Sequence, residues 1–377
     1  MSVTQYPTPI HVLIATGGTG GHVYPALAVA EELLSRGVKV SWMGTRKGME
    51  AKIVTEKSIP LHFVSVTGLR GKGALGWLMA PFKLTFAIAQ AISIVLKQKP
   101  NVVLGMGGFV SGPGGMASWL LRKPLVIHEQ NTIAGLTNKM LANFATHVVE
   151  AFPNTFSNTK KAIHLGNPVR SDIETLPEPR GRFIERDSKN INVLVLGGSL
   201  GATALNENLP KVFSSLQESC SLNIVHQTGL KHINTATEFY KKTSLKADVV
   251  AYIDDMSKLY SWADIVICRS GALTISELSS AGLGALLIPY PYAVDDHQYY
   301  NAMYLVNGNA AIVIRQSELQ SSEFLKTLET LICNGREKLL SMAENARKLS
   351  MPNAASHVAD LCCNLVIHPS KQGVSNV

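Results

Sequence analysis

Twice along the chain a mostly apolar run breaks into glycines. Ile10-His11-Val12-Leu13-Ile14-Ala15-Thr16 leads into Gly17-Gly18-Thr19-Gly20-Gly21, and Ile191-Asn192-Val193-Leu194-Val195-Leu196 leads into Gly197-Gly198-Ser199-Leu200-Gly201-Ala202. Apolar runs of this length predict strands buried on both faces of a parallel sheet. Glycines at their ends leave backbone amides, together with the next helix N-terminus, able to face a phosphate.

Strand and helix patterns alternate around these two units, as a doubly wound sheet requires. In the first half the pattern predicts a helix from Pro25 to Leu34 closed near Gly37, a strand from Val38 to Met43 and a helix from Leu84 to Lys97. Val102 to Leu104 then reads as a strand opening into a second glycine loop, Gly105 to Gly115, and Pro124 to His128 as another strand. A turn-rich stretch from Gly166-Asn167-Pro168 to Arg180-Gly181 marks a domain junction. In the second half Leu222 to His226, Val249 to Ile253, Ile265 to Cys268 and Ala285 to Ile288 read as strands, and Asn353 as the cap of a helix from Ala354 to Val366. The expected division is 1–168, 169–350, and a closing helix and tail over 351–377.

A chain of 377 residues suits two domains better than one core. The 46% hydrophobic and 16% charged content is globular, and a formal net charge of +8 favours anionic partners. No run of Lys and Arg with interleaved aromatics points to nucleic acid, and none is expected as a partner. Cys220, Cys268, Cys333, Cys362 and Cys363 lack metal or redox spacing and read as buried apolar residues in a reducing compartment. Met1 to Pro9 lacks the apolar core of a signal peptide. The longest apolar run, Leu84 to Leu96, lies between Lys83 and Lys97 and is interrupted by Gln90 and Ser93. It is shorter than the roughly 20 residues a spanning helix needs, so a soluble or surface-bound protein is expected.

A dinucleotide-binding fingerprint would place an acid at the end of the second strand to hold a ribose. Here that strand ends Trp42-Met43-Gly44-Thr45 and its counterpart ends His226-Gln227-Thr228-Gly229, both without one. A carboxylate in a useful place comes later. Ile265 to Cys268 is followed by the turn Arg269-Ser270-Gly271 and the helix start Ala272-Leu273-Thr274-Ile275-Ser276-Glu277. The amides of Ala272, Leu273 and Thr274 suit a diphosphate, and Glu277, one turn in, suits both ribose hydroxyls. The residues alone equally allow a capping box with Thr274 or Ser270 as cap.

Several motifs occur together and in order: Gly17-Gly18-Thr19-Gly20-Gly21-His22, Gly68-Leu69-Arg70-Gly71-Lys72-Gly73, Gly105 to Gly115, His128-Glu129-Gln130-Asn131, Gly166-Asn167-Pro168-Val169-Arg170, Gly197-Gly198-Ser199, Ile253-Asp254-Asp255-Met256, Arg269 to Thr274 and Gln298-Tyr299-Tyr300-Asn301. This set, spanning about Ile10 to Asn301, resembles the MurG family of bacterial glycosyltransferases, which add N-acetylglucosamine to lipid I to make lipid II in peptidoglycan synthesis. The resemblance implies an α/β fold of the GT-B class: two Rossmann-like doubly wound parallel sheets facing a cleft. It implies UDP-N-acetylglucosamine as donor, with Tyr252 and Ile253 at uracil, Glu277 at the ribose, and Ser199, Arg170 and the amides of Ala272, Leu273 and Thr274 at the diphosphate. Gln298 and Asn301 would read the sugar, Thr19 and Asn131 would reach the donor from the first half, and Gly20, Gly21, Ile275 and Ser276 complete the donor set. Gly18, Gly107, Gly108 and Ser111 would hold the diphosphate of lipid I.

Moving an α-linked sugar to a β-linkage in one inverting step needs a base for the attacking 4-hydroxyl and stabilisation of the departing diphosphate. His22, at a helix start, is the expected base because a helix N-terminus disfavours its cation. Glu129 is the second candidate, or a residue that orients the loop carrying Asn131. No cofactor and no protein-bound metal are expected. Three positions depart from the family: Leu200 where Gln is usual, His297 before Gln298 where two glutamines are usual, and Phe109 for a frequent Tyr. Leu75, Leu78, Met79 and Phe82 share a helical face beside Trp77 with Arg70, Lys72 and Lys83 around them, which suits an anchor on an anionic membrane surface. With the lipid-linked acceptor, this implies a peripheral protein on the cytoplasmic face of the bacterial inner membrane. A UDP-sugar epimerase of similar fold and a noncatalytic nucleotide-sugar-binding subunit are the alternatives.

Overall fold

The structure is a computed structural model and describes residues 9–66, 78–157, 159, 161–184, 186, 190–198, 201–217, 219–243, 245–333 and 336–368. The chain divides into two units, Met1–Arg170 with Asn353–Val377, and Ser171–Pro352. Each is a parallel sheet covered by helices.

The first unit runs β1 (His11–Ala15), α1 (Gly20–Ser35), β2 (Lys39–Gly44), α2 (Glu50–Glu56), β3 (Leu61–Phe63), α3 (Ala80–Gln98), β4 (Val102–Gly105), α4 (Gly108–Leu120), β5 (Leu125–Glu129), α5 (Leu136–Leu141), β6 (His147–Glu150) and β7 (Ala162–His164). Its sheet has the order β3-β2-β1-β4-β5-β6-β7, parallel throughout. Side chains alternate across a strand. Val12 and Ile14 of β1 therefore join one core with Val23, Ala26 and Leu33 of α1. Leu13 and Ala15 join the opposite core with Ala91 and Val95 of α3 and Val110 and Ala117 of α4. An apolar residue at almost every position of β1 serves both layers.

The second unit runs α6 (Ser171–Glu174), α7 (Pro179–Ile184), β8 (Asn190–Leu196), α8 (Thr203–Leu216), β9 (Ser221–Gln227), α9 (Ile233–Lys242), β10 (Ala247–Val250), α10 (Met256–Trp262), β11 (Ile265–Cys268), α11 (Ala272–Ala281), β12 (Gly284–Leu287), α12 (His297–Asn307), β13 (Ala311–Val313), α13 (Ser322–Ile332) and α14 (Arg336–Lys348). Its parallel sheet has the order β10-β9-β8-β11-β12-β13. The last helix, α15 (Ala354–Ile367), belongs to the first unit. Val358, Ala359, Cys362 and Cys363 enter the core shared with α1, and Arg36 at the end of α1 pairs with Asp360 and Ser356.

Several expectations are corrected. The stretch from Gly105 to Gly115 is not one long loop, since α4 already begins at Gly108. Its glycines are there for close packing: a Cβ on Gly114 would lie 2.7 Å from Ala15 Cβ, and one on Gly115 2.7 Å from Leu141 Cδ2. Helix α1 starts at Gly20 and contains Pro25, which forgoes one intrahelical hydrogen bond without ending the helix. Strand β10 stops at Val250, leaving Ile253 in the following loop. Asn353 is the N-cap of α15, as expected, although it sits in a left-handed conformation without a side-chain capping bond. The apolar run from Leu84 to Leu96 belongs to the longer α3, whose 19 residues are by length and composition enough to cross a bilayer and are mostly not buried. Cys220 and Cys333 are joined in a disulfide, while Cys268, Cys362 and Cys363 are free and buried. The two paired residues are 113 positions apart, so spacing could not reveal them.

In an open parallel sheet, ligands bind beyond the carboxyl ends of the strands where the strand order reverses. That point lies between β1 and β4 in the first unit and between β8 and β11 in the second.

Candidate active site

At the first switch point the ends of β1 and β4 are tied together. Thr16 Oγ1 donates to the carbonyls of Met106 and Gly107, both at 3.0 Å. Trp42 Nε1 donates to Thr16 O at 3.0 Å. Gly107 and Gly108 both have positive φ (+80 and +73), and a Cβ on Gly108 would lie 2.1 Å from Gly17 O. Only glycine fits there. Ser111, expected at an acceptor diphosphate, is instead buried, with its hydroxyl directed at Ala15 O (2.9 Å) and Gly107 O (2.6 Å).

The first glycine loop is also satisfied from within. Glu50, fully buried at the start of α2, accepts hydrogen bonds from Gly18 N (3.1 Å), Thr45 N (2.8 Å) and Thr45 Oγ1 (2.8 Å). A Cβ on Gly17 or Gly48 would lie 2.4 or 2.0 Å from its carboxylate oxygens. The Gly18 amide, expected on the acceptor diphosphate, is therefore engaged by a carboxylate of the chain itself. An acid at the first position of a helix, two residues after Gly48, was the available signal for this clamp.

Thr19 is the exposed N-cap of α1 and makes no side-chain capping bond; Gly20 and Gly21 form the first turn beneath it. His22 follows, half-buried, its Nδ1 3.0 Å from Gln130 Oε1. Gln130 Nε2 in turn donates to Met106 O at 3.0 Å. Next to Gln130, Glu129 is held by four donors: Asn131 N (3.0 Å) and Nδ2 (3.2 Å) on Oε1, and Gly135 N (3.0 Å) and Asn138 Nδ2 (2.9 Å) on Oε2. These four bonds make Glu129 a brace for the loop carrying Asn131. His128 is buried, its Nε2 3.0 Å from Gly166 O, and burial pushes its pKa down to about 4. The ring is neutral at physiological pH.

At the second switch point, Gly271 is the N-cap of α11 and the first intrahelical bond runs from Ile275 N to Gly271 O at 3.0 Å. The amides of Ala272, Leu273 and Thr274 precede that bond and point out of the helix end. Ile275 is core, and the hydroxyl of the buried Ser276 donates to Ala272 O at 3.1 Å. Glu277 does not close a capping box. Its Oε2 accepts from the hydroxyl of the buried Tyr260 on α10 at 3.0 Å, a partner with no signal in the sequence. On α12, Gln298 Oε1 accepts from Tyr290 N (2.9 Å), and the buried Asn301 donates to Ser270 O (3.3 Å), tying that helix to the turn before α11. Exposed Tyr252 and buried Ile253 line a cavity of about 640 Å³ beside β10. Arg170 ends the first unit, half-buried. Ser199, Arg70, Lys72, Leu75 and Trp77 lie outside the described residues.

The chain matches the glycosyltransferase family 28 N-terminal domain over residues 12–150 and the glycosyltransferase family 28 C-terminal domain over residues 192–358. A Nitrosococcus oceani protein named UDP-N-acetylglucosamine--N-acetylmuramyl-(pentapeptide) pyrophosphoryl-undecaprenol N-acetylglucosamine transferase is 49% identical over 353 residues, 94% of this chain and 98% of the relative. A Saccharophagus degradans protein of the same name is 49% identical over 364 residues, 95% of this chain and 92% of the relative. The crystal structure of Acinetobacter baumannii MurG, 41% identical, superposes with a TM-score of 0.81, covering 94% of this chain and all of that one. The chain belongs to the MurG family. Its fold is accordingly GT-B, and it is a glycosyltransferase of family 28. Of the three departures from the MurG pattern, Phe109 is 56% exposed in the first turn of α4, where it offers no hydroxyl. His297 opens α12 with Nδ1 2.8 Å from Val294 O, and Leu200 lies outside the described residues. Glu50, Asn138 and Tyr260, which sequence reasoning left unassigned, and Gln130, which it quoted in a motif without a role, hold MurG motif residues through hydrogen bonds.

Proposed function

We propose that this chain transfers N-acetylglucosamine from UDP-N-acetylglucosamine to the 4-hydroxyl of the muramyl sugar of lipid I, giving lipid II in peptidoglycan synthesis. The observation that carries this is 49% identity over 94% of the chain with a relative named for that transfer. It also disfavours the epimerase and the noncatalytic subunit.

Within this reading the second unit holds the donor. The outward amides of Ala272, Leu273 and Thr274 and the helix dipole balance the departing diphosphate, with Arg170 and Ser199 assisting. Glu277, steadied by Tyr260, takes the ribose hydroxyls, Ile253 meets uracil through its backbone, and Gln298 and Asn301 read the sugar. The first unit carries His22 as base, with Thr19 and Asn131 nearby on its loops. As the acceptor oxygen bonds to the anomeric carbon, its proton passes to His22 and the bond to UDP breaks, the electron pair leaving on the diphosphate. Glu129 serves to shape the Asn131 loop. The acceptor diphosphate is left to Gly107, Gly108 and neighbouring amides, because Gly18 N and Ser111 are engaged internally.

In this reading the protein works peripherally on the membrane that carries its lipid-linked acceptor. Supporting this, Leu78 and Phe82 are 68% and 69% exposed at the start of α3 beside Lys83. A transfer assay with labelled UDP-N-acetylglucosamine and a lipid I analogue tests the reading. Labelled disaccharide on the lipid is expected, and epimerised nucleotide sugar or no product would overturn it.

A further inference from the structure

A neutral imidazole carries one proton on two nitrogens, so a base that works through Nε2 needs that proton held on Nδ1. Gln130 meets this requirement by elimination. One polar atom of its amide lies 3.0 Å from the Met106 carbonyl, which can only accept, so that atom is the NH2 nitrogen. The other, 3.0 Å from His22 Nδ1, is therefore the oxygen, which can only accept in turn. The ring nitrogen facing it must be the donor.

The surroundings protect this arrangement. Gln130 is fully buried, which shields both hydrogen bonds from competing water. Gly107 makes room for the pair: a Cβ there would sit 2.6 Å from His22 Nδ1 and 2.9 Å from Gln130 Oε1. The ionisable group on β5 that couples to His22 is His128, which burial keeps uncharged, and its neighbour Glu129 is bound by four donors of its own loop. Across the loop, Glu50 is committed to Gly18 and Thr45. A neutral amide thus fixes the ring's tautomer without the pull toward imidazolium that a carboxylate partner would exert.

We propose that Gln130 is a positioning residue that selects the Nδ1–H tautomer of His22 and leaves Nε2 as the basic nitrogen. This rests on the reading of His22 as the base.

The full-length protein labelled with 15N-histidine, its His22 signal assigned by loss in His22→Gln, reads the tautomer directly. A protonated Nδ1 and an unprotonated Nε2 near pH 8 are expected. A proton on Nε2 overturns the proposal, whatever the variants do. In the transfer assay, Gln130→Glu is expected to move the acidic limb of kcat upward by about one pH unit, because an adjacent carboxylate favours the protonated ring and the base must be unprotonated to act. Gln130→Ala is expected to lower kcat about tenfold with the donor KM unchanged. Superimposable pH profiles for wild type and Gln130→Glu, with both proteins folded by circular dichroism, would assign Gln130 to packing alone. His22→Ala separates the two layers. If it keeps its kcat, the base reading falls and this proposal falls with it; if it loses kcat while the wild-type ring is protonated on Nε2, the base stands and only the role of Gln130 is lost.

Discussion

The two sheets reverse strand order at equivalent places, between β1 and β4 and between β8 and β11, yet the backbone groups gathered there are in opposite states. In the first unit several polar groups are already engaged within the loop. Gly18 N is on Glu50, the Ser111 hydroxyl is on Ala15 and Gly107, and Gln130 is on Met106. Beside them stands the ring of His22, in the first turn of α1. In the second unit the first-turn amides of α11 come before any intrahelical bond, and Glu277, Gln298 and Asn301 stand on elements packed around them. Topology sets the location of a site. In the first unit the Gly18 amide is taken by Glu50 beside His22, whereas in the second the first-turn amides of α11 precede any intrahelical bond and suit the donor diphosphate.

The sharpest way to break this comparison is His22→Ala. Losing a general base should lower kcat by about a hundredfold or more while the donor KM stays put. A kcat near wild type would remove the first switch point from the chemistry. On the other side, Glu277→Ala should raise the donor KM about tenfold or more with kcat largely retained, through loss of charge-assisted contacts to the ribose. Tyr260→Phe, which removes only the hydroxyl 3.0 Å from Glu277, should raise it a few-fold. An unchanged donor KM in steady-state kinetics for both would leave Glu277 a packing residue.

Glu50→Ala tests whether the first loop is held from within. It removes the acceptor of Gly18 and Thr45, whose partly solvated donors water can meet in part, so the loss is about 1 kcal/mol per bond. Chemical denaturation should show a loss of that order, and a variant as stable as wild type would mean that the clamp contributes nothing.

Each unit also holds a fully buried histidine, His128 with a pKa of about 4 and His226 of about 3, both lowered by desolvation from 6.5. Above pH 6.5 neither state binds the proton, so these rings cost nothing. Below it the unfolded chain takes up protons that the folded one refuses, and stability should fall from pH 6.5 toward pH 4 by up to roughly 1.4 kcal/mol per pH unit for each ring. Urea midpoints that stay flat between pH 7 and pH 5 would contradict this. The smallest effect belongs to the membrane face. Lys83→Ala should weaken binding to anionic vesicles by roughly 1 kcal/mol in a salt-sensitive way, whereas Phe82→Ser should weaken it independently of salt. Co-sedimentation unaffected by either change would move the membrane-facing surface elsewhere.

Much of the fold was legible because buried parallel strands are nearly pure apolar runs: Ile265–Cys268 is a strand over the whole predicted span, and the two glycine-ended runs are β1 and β8. The glycines misled where their purpose was spatial. In α4 they admit Ala15 and Leu141 against the helix, and composition cannot distinguish a glycine needed for a turn from one needed for contact. The early start of α1 was hidden by Pro25, read as a boundary although its helix tolerates it. At the site, motif residues were visible but their supports were not. Tyr260 reaches Glu277 from a different helix, Gln130 reaches His22 across 108 positions, and Cys220 meets Cys333 across 113. Such pairings exist only once the sheet order is known.

The division of labour between the two switch points can be read most directly by titrating UDP, by calorimetry, into wild type, His22→Ala and Glu277→Ala side by side. The account predicts that His22→Ala binds UDP as wild type does, and that Glu277→Ala binds it at least about tenfold more weakly, with both variants folded. A loss of UDP affinity in His22→Ala equal to that in Glu277→Ala would contradict it, because the first switch point would then be holding nucleotide.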